Sequence, residues 1–179
     1  MNTKETAMKI IVDFLVSEDK CLYVNGTHQF KKHSLVLGCL KDLETPSTIL
    51  FRTNAMKNLG AVFGTNGTQF KTGVAYPLGK HKLYFDSLNP TSQRNTPRNL
   101  DYVVVYPIDS ACKDKKAKEI IQDVFHLSKQ KVFLVSWTDV FDDSLIREYV
   151  DRYVTYDAEE DDPAYHQRVL ELHRQRGKL

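Results

Sequence analysis

The chain has 179 residues, enough for one domain with a sizeable core, and 41% of them are apolar against 27% charged, as in soluble globular proteins. The formal net charge of +2 makes no overall case for nucleic acid, so any such case rests on local clusters. Cys21, Cys39 and Cys112 are odd in number and widely spaced, which excludes a disulfide framework and a cysteine zinc site; together with a charged N-terminus and no apolar run of spanning length, they point to a cytoplasmic chain without a membrane segment.

In chain order, the spacing of Ala7, Ile10, Ile11, Phe14 and Leu15 predicts a helix over 4–18. A short strand, Leu22–Val24, stops at the turn signal Asn25-Gly26. A second helix over 32–43 places Leu35, Val36, Cys39, Leu40 and Leu43 on its apolar side, and beyond Pro46 comes the strand Thr48–Arg52. Residues 64–100 are dense in glycine and proline. Within them Phe70–Leu78 and Lys82–Leu88 read as a β-hairpin, turned at Gly79, and Asn89–Asn99 reads as an exposed, mobile loop. The run Tyr102–Ile108 is continuously apolar, as in a strand buried on both faces of a parallel sheet. A helix follows at about 113–128, then a second apolar run, Val132–Trp137, a short helix over 143–150 and a last strand, Arg152–Tyr156. The acidic run Glu159–Asp162 leads into a C-terminal helix opened by Pro163, an order that suits the helix dipole. Strands alternating with helices predict a three-layer α/β domain over 1–179: a mainly parallel five-stranded sheet, with 64–100 as a hairpin and loop insertion.

Between the first strand and the second helix runs Gly26-Thr27-His28-Gln29-Phe30-Lys31-Lys32-His33-Ser34. The phosphate-loop pattern is G-x-x-x-x-G-K-[ST] in the same strand-to-helix setting. Loop N–H groups cradle phosphate oxygens there, and the lysine neutralises their charge. Gly26 and Lys32 match the first glycine and the lysine, whereas Lys31 replaces the second glycine and His33 the hydroxyl residue that would hold magnesium, with Ser34 one place later. Glycine serves where backbone approaches a ligand closely, so a lysine at 31 would crowd the phosphates. Downstream, the strand Tyr102–Ile108 is followed by Asp109, and the run Val132–Trp137 by Thr138 and Asp139.

With these residues the chain resembles the additional-strand branch of P-loop NTPases, which holds RecA-like and AAA+ proteins, over about 20–157. The resemblance implies ATP and magnesium, and work on DNA or on a partner protein. Gly26, Thr27, Lys31, Lys32, His33 and Ser34 would surround the phosphates. Ser34 and Asp109 would hold magnesium, and Asp109, Thr138 and Asp139 would act on the γ-phosphate or the attacking water. Ser110 stands where many ATPases of this kind carry a catalytic glutamate. Asp109 and Asp139 can equally cap the helices after them. The altered loop leaves a second reading open, a non-catalytic scaffold for a partner or for nucleic acid.

Basic residues near the hairpin, Lys80, Lys82, Arg94 and Arg98, are interleaved with Phe70, Tyr76, Tyr84 and Phe85, which suits single-stranded nucleic acid unless the rings face a core. Lys113, Lys115, Lys116 and Lys118 suit a solvated helix face. The C-terminal helix carries His166, Arg168, His173, Arg174, Arg176 and Lys178, and its modest apolar face suggests docking on the domain or a partner. The histidines show no metal-binding spacing.

Overall fold

A computed structural model describes residues 2–65, 67–113 and 115–176; Lys178 lies outside the described residues. Among the described residues, helices and strands alternate as α1 (Lys4–Val16), β1 (Cys21–Asn25), α2 (Lys32–Lys41), β2 (Thr48–Thr53), α3 (Leu59–Val62), β3 (Tyr76–Leu78), β4 (His81–Ser87), α4 (Pro90–Gln93), β5 (Leu100–Val105), α5 (Ile108–Cys112), α6 (Ala117–Leu127), β6 (Ser128–Val135), β7 (Arg152–Thr155) and α7 (Pro163–Gln175). The strands form one sheet in the order β3-β4-β2-β5-β6-β1-β7. Every pairing in it is parallel except that of β3 with β4.

Alternation along each strand divides the core into two layers. Leu22 and Val24, Ile49 and Phe51, Val104, and Phe133 and Val135 meet α1 and α2 on one face. Cys21 and Tyr23, Leu50, Val103 and Val105, and Val132 and Leu134 meet Ile121, Val124 and Leu127 of α6 on the other. Both faces of the central strands are covered, so their sequences read as unbroken apolar runs.

The observed sheet has seven strands where the pattern predicts five, and the hairpin is part of it. β4 runs parallel to β2 over six residue pairs, Thr48↔Lys82 to Thr53↔Ser87, and only β3 lies antiparallel at the edge. The reason is burial: Leu83, Phe85, Asp86 and Ser87 are all buried. Asp86 tolerates this because Arg52, itself buried, gives it two hydrogen bonds of 2.8 Å. Arg52 gives a third, also 2.8 Å, to Asp123 on α6, and the Thr96 hydroxyl adds one to Asp86 at 2.7 Å. A buried charge demands this degree of pairing, and the cluster ties two strands to the helix above them. The segment 89–99 is not wholly free loop. Asn89 caps α4, and Ser92 and Gln93 donate to the carbonyl of Ser87.

Other boundaries also differ. β5 ends at Val105, before Pro107, which has no N–H for the ladder. The helix expected over about 113–128 is α6, which starts later, at Ala117, and runs directly into β6; a separate short helix, α5, precedes it. The helix expected over 143–150 is a single 3₁₀ turn, Arg147–Tyr149. Among the described residues, no helix is long and apolar enough to cross a membrane.

Candidate functional site at the carboxyl edge of the sheet

Because β1, β2, β5, β6 and β7 are parallel, the segments that leave them all emerge at one edge of the sheet. Such edges, outside the carboxyl ends of strands, are where open α/β folds bind ligands. Here they bring together the loop 26–31, Asn54, Tyr106–Asp109, Ser136–Asp139 and Tyr156–Asp162.

Gly26 turns the chain out of β1 at φ 115°, and a Cβ there would lie 2.2 Å from the Tyr156 carbonyl oxygen. Both facts require glycine. Lys31, by contrast, has ordinary right-handed geometry (φ −115°, ψ −14°), so its position does not call for glycine. Its side chain is exposed, with Nζ 3.5 Å from Asp161.

Lys32 is fully buried. Its ammonium donates to the Gly26 carbonyl and, at 3.2 Å, to that of Trp137, joining the loop to the end of β6. Burial pushes its pKa down to about 8, against the opposite influence of Asp109, Asp139 and Asp157.

Several of the loop's donors are met from within the chain. Thr27 N–H donates to Asp157 Oδ1 at 2.9 Å, and His28 N–H to the Tyr156 carbonyl at 3.3 Å. The Thr27 hydroxyl lies 2.7 Å from His166 Nδ1 and accepts from Ala158 N–H at 2.9 Å. His28 Nε2 stands 2.9 Å from Asp161. Burial lowers the His28 pKa, with Asp161 acting the other way.

His33 lies in the core. Its ring is 4.4 Å from that of Tyr106, within a cluster that includes Phe51 and Phe63, and its Nε2 is 3.1 Å from the Val62 carbonyl. Burial pushes its pKa down to about 4. Ser34 is exposed and borders a hollow between α1 and α2, shared with Lys4, Met8 and Asp161. Asp109 borders a different cavity.

Asp109 occupies the first turn of α5 rather than the end of a strand. Its carboxylate accepts from Trp137 N–H at 2.6 Å, Thr138 N–H at 3.3 Å and the Thr138 hydroxyl at 3.0 Å, tying the ends of β5 and β6 together. Asp139 pairs with His173 Nδ1 at 2.9 Å and so anchors α7. Ser34 and Asp109, the two residues expected at magnesium, border separate hollows, and the Asp109 carboxylate is engaged by the Trp137–Thr138 segment. Among the described residues, no group of three or more His, Cys, Asp or Glu could hold a metal ion.

Lys80 and Lys82 lie at the amino end of β4 and Arg94 and Arg98 in the connection to β5, all exposed; Arg98 is 3.9 Å from Asp123. The neighbouring rings are turned inward. Phe70, Tyr76 and Phe85 stack on one another, with centroids 4.7–5.4 Å apart.

The residues that chain order did not single out for the site are those of the C-terminal segment: Tyr156, Asp157, Asp161 and His166. The acidic run 159–162 beside a loop bearing Lys31 and Lys32 carried the signal, as opposite charge.

No family model matches the sequence, and no curated protein matches it. Among solved structures, the large terminase of a thermophilic bacteriophage is similar at a TM-score of 0.55 and 9% identity, over 94% of this chain and 49% of the terminase. The chain thus spans about half the length of that protein. The likeness is one of fold: a mainly parallel α/β sheet flanked by helices.

Proposed function

We propose that this chain is a P-loop-type domain whose loop takes no nucleotide phosphate and which serves as a non-hydrolysing scaffold for a protein or nucleic-acid partner. The observation that carries the reading is that the first donors of the loop and the Lys32 ammonium are already engaged within the chain. Asp157 occupies Thr27 N–H, Tyr156 occupies His28 N–H, and two carbonyls occupy the Lys32 ammonium. A triphosphate entering here must displace a carboxylate and strip Lys32 of its partners. Hydrogen bonds to charged groups contribute roughly 1.5–3 kcal/mol each, so this competition is costly. Lys80, Lys82, Arg94 and Arg98 are the exposed basic residues that a nucleic-acid partner would meet.

One observation favours a second reading, an ATP- and magnesium-binding domain that acts in DNA transactions. Gly26, Lys32, Asp109 and Thr138 share the carboxyl edge, and Lys32 lies within electrostatic reach of Asp109 and Asp139.

Calorimetric titration with ATP, with and without magnesium, separates the two. The scaffold reading expects no binding at millimolar nucleotide, in the wild type or in Lys31→Gly, because the Lys31 side chain already points away toward Asp161. ATP binding that weakens about tenfold or more in Lys32→Ala, and whose magnesium dependence disappears in Asp109→Ala, would replace it with the nucleotide reading.

A further inference from the structure

A hollow of about 650 Å³ lies between α1, α2 and the acidic run that precedes α7, bordered by Lys4, Lys31, Ser34, Gly38, Tyr156 and Asp161. Its size falls within the roughly 300–1,000 Å³ of small-molecule sites. We propose that it is a binding site for a phosphate group, free or on a small molecule, which the chain's own Asp161 carboxylate holds shut. The site lies outside the scaffold reading and needs neither Gly26 nor Lys32.

The resident carboxylate marks the donors. One oxygen of Asp161, Oδ2, accepts from His28 Nε2 at 2.9 Å, from the Tyr156 hydroxyl at 3.1 Å and from Lys31 Nζ at 3.5 Å. A carboxylate only accepts, so His28 carries its ring proton on Nε2. Two of the three donors are fixed in place, since His28 and Tyr156 are buried with their rings 4.6 Å apart. Donors converging in this way on one oxygen suit an anion. Asp161 fills the position from a side chain that is 34% exposed. It can therefore turn out to solvent and leave its place to an anion that arrives from there.

Two further groups border the hollow. Among the described residues, Lys4 makes no ion pair and the Ser34 hydroxyl no hydrogen bond, and both residues are exposed. A phosphate monoester, with three terminal oxygens and a charge of about −1.5 to −2 at pH 7, offers these donors more than one carboxylate does. Charge runs the same way. With Asp161 in place, Lys4 and Lys31 meet two acids, Asp161 and Asp42. With Asp161 turned out, both lysines and the His28 N–H meet Asp42 alone. Gly38, four residues after Ser34, leaves the room: a Cβ there would meet nothing within 4 Å.

The full chain, labelled with nitrogen-15, would be titrated with inorganic phosphate at neutral pH and constant ionic strength, with the Ser34 and Gly38 amides as local reporters. The wild type should bind weakly, and Asp161→Asn about tenfold or more tightly, because the resident anion is gone. Lys4→Ala, made in Asp161→Asn, should remove most of that gain; Lys4 belongs to α1, not to the loop. Glu159→Gln removes an equal charge from the same acidic run, whereas His28 and Lys31 pair with Asp161, so it should bind as the wild type does. Gly38→Met fills the hollow with every charge in place and should abolish the shifts. If Asp161→Asn does not fold, the wild type at high phosphate decides: shifts that Gly38→Met abolishes support the site, and their absence overturns it. No gain in Asp161→Asn, an equal gain in Glu159→Gln, a gain that survives Lys4→Ala, or shifts that survive Gly38→Met would also overturn the proposal. ATP binding that depends on Lys32 would instead overturn the scaffold reading and leave these outcomes standing.

Discussion

Lys32 is the residue on which the site turns, and its burial has a measurable signature. Its pKa falls from 10.5 to about 8 in the folded chain because burial penalises the ammonium. Between these values the unfolded chain holds the proton and the folded chain does not, so folding gains stability as pH rises through the window and lacks it at pH 8 and below. The difference amounts to about 3 kcal/mol. Urea denaturation of the wild type and of Lys32→Met should therefore show the wild type gaining about 3 kcal/mol on the variant as pH rises from about 8 to about 10.5. A constant gap would mean that Lys32 is solvated. Sequence spacing was enough to find Gly26 and Lys32, since a glycine after a strand and a lysine at a helix start are local features. It could not assign His33. Whether that ring meets a phosphate or a core depends on Tyr106 and Phe51, which other strands deliver.

At the scale of elements, the segment from Tyr156 into α7 holds the loop through Asp157, Asp161 and His166, and its far end through the His173–Asp139 pair. Gly26→Ala puts a methyl group against the Tyr156 backbone at a φ that side chains rarely adopt. Overpacking and backbone strain each cost roughly 1–3 kcal/mol, so the variant should lose about 3 kcal/mol of stability. Amide exchange at Thr27 and His28 should quicken before exchange at β5 and β6. Unchanged protection at these two amides would show that the segment does not hold the loop. The strands were legible because β1, β2, β5 and β6 are doubly buried and read as apolar runs. The place of β4 was not, because Asp86 and Ser87 look like the end of a surface strand until Arg52 is set beside them. The acidic run before α7 suits a helix dipole equally well, which concealed its contact with the loop.

For the molecule as a whole, acid should be destabilising in a defined range. The His33 pKa is about 4 when folded against 6.5 when free, so the unfolded chain binds the additional proton as pH falls through that interval. Stability present above pH 6.5 is lost toward pH 4, by about 3 kcal/mol from this residue alone. Thermal melts should show the loss in the wild type and a flatter profile in His33→Phe; parallel profiles would count against it. Helix and strand alternation disclosed the layered class of the fold, but not the order of strands, because neighbours such as β1 and β6 stand far apart in sequence and nothing local records their pairing. One rim of that sheet has a consequence for how the protein behaves in company. β3 is three residues long, and its middle residue, Pro77, has no N–H to offer. A second chain seeking to extend the sheet there finds a broken template, so the exposed margin is a poor seed for fibrous growth.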